Sequence, residues 1–269
     1  MTRRNRKPLG IAALLPLMVV GAALALSGCA VDDADAAPAP IRSSSAPPET
    51  TSATPEPPMT WPGDPVSGQG AIEHTETEFA VPEGAHSLVV DFECTGGASF
   101  SAELATTSSL VRAPLRGTCE GASQLAWPIV ERNRTTFRVQ LPDGVAWTAR
   151  PTFSSADFDF DEAVTADCEK FAAVYSELVN ADTGFTFSKK IDAADWVVRV
   201  DRAAADLQAL AAYAKSTLGA SFSQLQTIVS DPARTTGDIL TPSAGPIGDI
   251  SKACSLNQTP LILTGEFGG

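Results

Sequence analysis

The chain has 269 residues, 43% of them hydrophobic, and a formal net charge of −13. Four of its 19 basic residues lie near the N-terminus, at Arg3, Arg4, Arg6 and Lys7, so the rest of the chain carries 15 basic against 32 acidic residues, a net charge of −17. A surface that acidic repels phosphate backbones and anionic headgroups. The composition therefore argues against nucleic-acid binding and predicts no nucleic-acid partner.

The N-terminal segment has the parts of an export signal. A basic start is followed by an uncharged apolar run, Leu9–Leu26, which ends in Leu26-Ser27-Gly28-Cys29. This ending resembles the lipobox of bacterial lipoproteins. The resemblance implies a signal peptide over residues 1–28, cleavage before Cys29, a diacylglyceryl group on the Cys29 thiol, and a protein held on the outer face of the bacterial cell membrane by that lipid.

Two alternatives for this segment stay open. The apolar run of about 18 residues is near the lower limit for an uncleaved transmembrane anchor, although it contains Pro16. The pair Arg3-Arg4 is a feature of twin-arginine export, but the rest of that motif is missing, which favours the general route.

Residues 29–70 are rich in Pro, Ser and Thr. Such a segment buries too little apolar surface to offset the entropy lost on ordering. We therefore predict a disordered tether over 29–70, which would hold the following domain away from the lipid.

Residues 71–155 alternate with a period of two, as strands with one buried face do. The predicted strands are Thr77–Val81, Ser87–Phe92, Ser99–Leu104, Leu125–Val130, Thr136–Leu141 and Val145–Ala149. Pro142-Asp143-Gly144 predicts a turn that makes the last two strands a hairpin. Short strands separated by turns predict an antiparallel β-sandwich.

Residues 156–269 change to helical periodicity. Asp161 is a predicted N-cap for a helix with Val164, Cys168, Phe171, Tyr175 and Leu178 on one face. Asp192 opens a second helix that continues to Leu218 with Gly219 as its stop. A capping box at Ser221–Gln224 predicts a third helix, and Pro246 a short fourth one. The fold class is thus α+β: an antiparallel β-sandwich-like half followed by a small helical bundle.

Four cysteines follow Cys29. In an exported protein, an even number predicts disulfides, with three possible connectivities for four cysteines. Pairing within each half is the simplest arrangement, with Cys94 bonded to Cys119 and Cys168 to Cys254. Pairing between the halves remains an alternative.

The run Asp157-Phe158-Asp159-Phe160-Asp161 alternates carboxylates as positions 1, 3 and 5 of an EF-hand loop do. Glu162 and Cys168 stand where that loop needs Gly and a bidentate Glu. An acidic helix start, favoured by the helix dipole, is therefore the preferred interpretation of Asp157, Asp159 and Asp161. No metal and no cofactor are expected.

Few other residues suggest chemistry. His74 and His86 are the only histidines, and neither has further zinc ligands at a suitable spacing. Lys189-Lys190 is interpreted as a solvated basic spot. Trp61, Trp127 and Trp147 form either a sugar-stacking platform or part of the core, and for Trp147 the alternation favours the core.

An anchor, a tether and a rigid domain without a recognisable catalytic motif predict a binding or interaction module. Its partner would be another cell-envelope protein or a wall polymer. One alternative is an envelope hydrolase, which would need convergent Asp/Glu pairs or a histidine with acidic support in a cleft. A buried His86 beside a carboxylate and a serine would favour it. A second is a solute-binding receptor, although the chain lacks the strand–helix alternation of two α/β lobes.

Overall fold

The computed structural model describes residues 57–71, 73–105, 113–130 and 134–267. The two predicted folded domains, 71–155 and 156–269, belong to one compact unit, Pro55–Gly269. Among the helices described, none is both long enough and apolar enough to cross a membrane.

Nine strands precede four helices, which confirms the α+β class. The strands are β1 Thr60–Pro62, β2 Val66–Gln69, β3 Thr75–Ala80, β4 Ser87–Cys94, β5 Ser99–Ala105, β6 Leu115–Thr118, β7 Ser123–Pro128, β8 Arg134–Gln140 and β9 Ala146–Ser154. The helices are α1 Glu162–Asp182, α2 Ala193–Tyr213, α3 Gly219–Val229 and α4 Leu240–Leu256, and a π-helical turn, Thr183–Phe187, follows α1.

The strands form two antiparallel sheets. Sheet A has the order β1-β9-β4-β7, with β2 also paired to β9, and sheet B has the order β3-β8-β5-β6. Alternate side chains of both sheets meet in one core, where the ring of Phe137 from sheet B lies 6.2 Å from Phe92 and 6.3 Å from Trp147, both of sheet A. The residues that alternate with a period of two in the sequence are thus the ones whose side chains fill this shared core.

The predicted hairpin between β8 and β9 is wrong, although its turn is present. Gly144 has φ +76°, and Val145 N–H donates to Pro142 O over 3.2 Å. The chain leaves sheet B at this turn and enters sheet A, where β9 pairs with β4 from Ser154 to Trp147. Alternation fixes which face of a strand is buried, but it does not identify the neighbouring strand.

The predicted tether extends too far towards the C-terminus. β1 and β2 lie within 29–70, yet both pair with β9. Pro62 is tolerated because β1 is at the edge of sheet A, where a missing N–H costs little. Gly68 is required by close packing, since a Cβ there would lie 2.9 Å from the Trp147 ring. β1 and β2 pair with successive stretches of β9, so Pro and Gly mark an interrupted edge strand here rather than a linker.

Arg138 links three strands of sheet B. Its guanidinium donates to Glu76 on β3 over 2.6 Å and to Glu103 on β5 over 2.7 Å. The hydrogen bonds from Arg138 lower the pKa of Glu76 below its ordinary value, and those to Glu76 and Glu103 raise the pKa of Arg138. This opposite-charge row favours the observed register.

The helices surround a core of their own. Phe171 and Leu178 of α1, Trp196 and Leu207 of α2, and Phe222 of α3 are almost completely buried. The predicted helical stripes are therefore the buried faces. Asp161 caps α1 as expected, because its carboxylate accepts from the N–H groups of Ala163 and Val164 over 2.9 and 3.0 Å.

The predicted starts of the last two helices are wrong. α3 begins at Gly219, which was the expected stop of the second helix, so Ser221 lies inside α3, and Pro246 lies inside α4. Neither helix has a capping side chain at its own N-cap residue. The cap of α4 comes from α1, since the buried Asp182 carboxylate accepts from Ile239 N–H and Leu240 N–H over 2.9 and 3.0 Å.

Asp167 of α1 caps the start of α3 indirectly, through the side chain of Ser216. Its carboxylate accepts from both the hydroxyl and the backbone N–H of Ser216, and the Ser216 hydroxyl accepts from Leu218 N–H over 3.2 Å. A capping group that is far away in sequence leaves no local signal. This explains why the capping box predicted at Ser221–Gln224 is wrong.

The C-terminal segment after α4 is hydrogen-bonded to side chains of α1. Asn180 donates to Thr264 O and accepts from Glu266 N–H, and Ser176 accepts from Thr264 N–H. Arg199 of α2 then pairs with the Glu266 carboxylate over 2.8 Å. Polar groups buried on α1 thus serve the backbone of the C-terminal segment.

Both disulfides have the predicted within-half connectivity, Cys94–Cys119 and Cys168–Cys254. The first joins β4 to the end of β6, and the second joins α1 to α4.

We expect the second disulfide to stabilise more, because it closes a loop of 86 residues against 25. In the chain-entropy model the two contributions are about 4.6 and about 3.5 kcal/mol. Urea unfolding of the double variants Cys168→Ala/Cys254→Ala and Cys94→Ala/Cys119→Ala would measure them. A smaller loss for the Cys168/Cys254 pair would contradict this expectation.

The Arg199–Glu266 pair predicts a pH dependence. The hydrogen bond from Arg199 lowers the pKa of Glu266. The pKa of Glu266 is therefore lower in the folded chain than in the unfolded chain. The ion pair makes its full contribution to the free energy of unfolding at pH values above the ordinary glutamate pKa, and this contribution is lost as the pH falls through the pKa of the folded state. In a carboxyl NMR titration, Arg199→Gln should raise the Glu266 pKa, whereas the control Arg202→Gln should change it much less. Equal shifts would refute the assignment.

Candidate functional site

The proposed lipid site lies outside the described residues. Cys29, the signal peptide 1–28 and the predicted tether up to residue 56 are all in that part of the chain. The lipoprotein assignment therefore remains a prediction from the sequence.

The acidic run between the halves has separate partners for its carboxylates. Asp161 caps α1, while the Asp157 carboxylate accepts from His86 Nδ1–H over 2.8 Å. No hydrogen bond joins Asp159 to the rest of the described chain. Across the described ranges, no group of three or more His, Cys, Asp or Glu side chains is placed to hold a metal ion.

The histidines lie on the surface. The side chain of His86 is 55% exposed and its partner Asp157 is 91% exposed, whereas the hydrolase alternative needs a buried histidine. His74 lies 3.1 Å from Glu76 and is 40% exposed. Both rings are exposed, so neither is the buried histidine that would favour the hydrolase alternative.

The three tryptophans do not form a sugar-stacking platform. Trp127 and Trp147 are buried in the core of the sandwich, which confirms the core interpretation of Trp147. Trp61 is half-buried on β1 and packs against the same core. Only Trp61 keeps part of its surface exposed, so the three rings do not form a shared exposed aromatic face.

A cleft of about 1080 Å³ lies between sheet B and α4, and we call it the inter-half cleft. One wall is formed by β5, β6 and the β8–β9 turn, and the other by α4 with Tyr175 of α1. Phe100 and Leu115 form buried apolar parts of its lining, while Leu256 of α4 is 50% exposed. The volume is at the upper end of the range of small-molecule sites, roughly 300–1,000 Å³.

The charged residues of the inter-half cleft are Arg116, Lys252 and Asp143. Arg116 is on β6 and Lys252 is on α4, so the two cations come from opposite walls. Serine hydroxyls lie on both walls, including Ser101 on β5 and Ser251 on α4. The arrangement offers two positive charges, hydroxyl donors and apolar surface in one concave place.

Sequence reasoning did not identify this site. Arg116 and Lys252 are far apart in the chain and belong to no motif, and only the packing of α4 beside sheet B brings them to one cleft. The only local signal was the basic residue Arg116 in a strongly acidic protein, and a single basic residue is weak evidence for a binding site. The predicted basic spot Lys189-Lys190 is exposed and lies outside the cleft.

No family model matches this chain, and no curated protein matches it. A solved structure from Bacillus endospore appendages, described as disulfide-linked pili, aligns with 38% of this chain and 89% of its own. The sequence identity is 8% and the TM-score is 0.27. A likeness of this size says nothing about function.

The two interpretations of Asp161 predict different responses to calcium. As an N-cap, its substitution Asp161→Ala should cost about 1 kcal/mol, whereas the exposed control Asp159→Ala should cost less than about 0.5 kcal/mol. Urea unfolding with and without calcium measures both. A calcium-dependent stabilisation that Asp159→Ala abolishes would favour the metal site instead.

Proposed function

We propose that this protein is an extracytoplasmic lipoprotein, anchored by lipid on Cys29 to the outer face of the bacterial membrane, that presents a binding module to the cell envelope. The pairing of cysteines carries the proposal. All four cysteines after Cys29 are used in two disulfides, which supports an oxidising compartment. Cys29 is the one cysteine that remains, and it ends the lipobox-like sequence.

The compact unit supports the binding part of the proposal. It begins at Pro55, inside the predicted tether, and each half has a disulfide-linked core. Between the halves lies a cleft of ligand-binding size. A rigid framework with a preformed cleft is suited to recognition, because little ordering entropy is lost on binding. The partner would be another envelope protein, a wall polymer or a ligand derived from them.

Intact-mass and N-terminal analysis of the full chain, expressed in a bacterium that processes lipoproteins, tests the anchor. We expect a mature chain that begins at acylated Cys29 and sediments with membranes. Cys29→Ser should abolish acylation and cleavage, while Ser45→Ala, a control in the tether, should leave both unchanged. An unacylated chain that retains residues 1–28 would refute the lipid anchor and favour a transmembrane one.

A further inference from the structure

Arg116 differs from the other arginines that the structure describes. Six of them form ion pairs with carboxylates, at positions 134, 138, 150, 199, 202 and 234. Arg116 has no ion pair and no side-chain hydrogen bond with any described residue, although the chain holds 32 acidic residues. Within the described ranges, the guanidinium that lines the inter-half cleft is thus the one in this set that is not paired with a carboxylate.

Lys252 supplies a second cation from the opposite wall. It also makes no ion pair within the described ranges, and Asp143, the only acidic residue of the lining, is bonded to neither cation. The lining therefore carries a net positive charge inside a protein whose net charge is −13. Both cationic side chains are exposed, so they are accessible to an anion that enters the cleft, and the local positive charge attracts such an anion.

The remaining lining indicates the rest of the ligand. Tyr175 is half-buried and Leu256 half-exposed on the helical wall, and both offer apolar surface to the cleft. Ser251 and Ser255 lie beside them on α4, and their hydroxyls donate to no described side chain or carbonyl. Together these groups suit a ligand with one anionic end and one apolar or aromatic end.

We propose that the inter-half cleft binds a small organic anion whose carboxylate or phosphate pairs with Arg116 and Lys252 and whose apolar part packs on Tyr175 and Leu256. A planar guanidinium binds both anionic groups through two parallel N–H···O bonds, which is why Arg116 is the primary contact and Lys252 the secondary one. This assignment rests on the proposed function and adds to it the chemical class of ligand that the binding module recognises.

Calorimetric titration of the full chain in phosphatidylcholine nanodiscs tests this assignment. The probes are phenyl phosphate and phenylacetate, with inorganic phosphate and benzyl alcohol as the separate anionic and apolar halves. We expect saturable binding of at least one aromatic anion and weaker binding of both halves. A preference for phenyl phosphate assigns the anionic group as phosphate, and a preference for phenylacetate assigns it as carboxylate.

Three substitutions locate the binding. Arg116→Gln should weaken the preferred probe by about tenfold or more, since a charge-assisted bidentate contact is lost. Lys252→Gln should weaken it less. The control Lys190→Gln removes the same charge outside the cleft and should change the dissociation constant by less than about twofold, because solvent and salt screen a distant exposed charge.

Two results would overturn the assignment: neither aromatic anion binds, or Arg116→Gln binds as the unchanged chain does while its melting temperature is also unchanged. Because the titration does not depend on acylation of Cys29, such a failure would leave the lipoprotein proposal standing. Conversely, an unacylated chain that still binds the probe would refute the anchor alone.

Discussion

The helical half depends on polar side chains buried along α1. Asp182 accepts hydrogen bonds from the first N–H groups of α4 and from the indole N–H of Trp196, the last over 2.8 Å. Asp167 holds Ser216 at the start of α3, and Asn180 holds the C-terminal segment. A buried carboxylate is tolerated only when its oxygens are satisfied, so these groups require the other elements to be present. α1 thereby helps to fix where α3 and α4 begin and where the C-terminal segment lies, whereas α2 begins at its own cap, Asp192.

The same arrangement positions the inter-half cleft. Asp182 fixes the start of α4 and the Cys168–Cys254 disulfide fixes its last turn, so both ends of the helix are tied to α1. Asn257, just after α4, donates to Asp161 O over 3.0 Å and accepts from Asp161 N–H over 2.8 Å. Because Asp161 directly follows the segment that leaves β9, the wall formed by α4 is held close to the sandwich. The cleft is a consequence of this framework rather than of a flexible contact.

Much of the fold follows from local patterns in the sequence. Alternation located β4, β5 and β8, helical periodicity located α1 and α2, and the even set of cysteines predicted both disulfides. Features set by distant partners could not be found in this way. The partner of β9 is β4 rather than β8, and the cap of α4 is Asp182 rather than a local residue. Arg116 and Lys252 line one cleft only in the folded chain. Each of these depends on tertiary packing, which single-sequence periodicity does not encode.

The positions of the histidines and of the cleft count against a histidine-dependent hydrolase at the cleft. A hydrolase needs a base beside the substrate, in surroundings that adjust its pKa. His86 and its partner Asp157 lie on exposed surface, and among the residues described neither histidine lines the inter-half cleft. The concave site and the one His–Asp pair are therefore in different places. The described lining of the cleft instead contains two cations, serine hydroxyls and apolar side chains, the groups on which the proposed anion site depends.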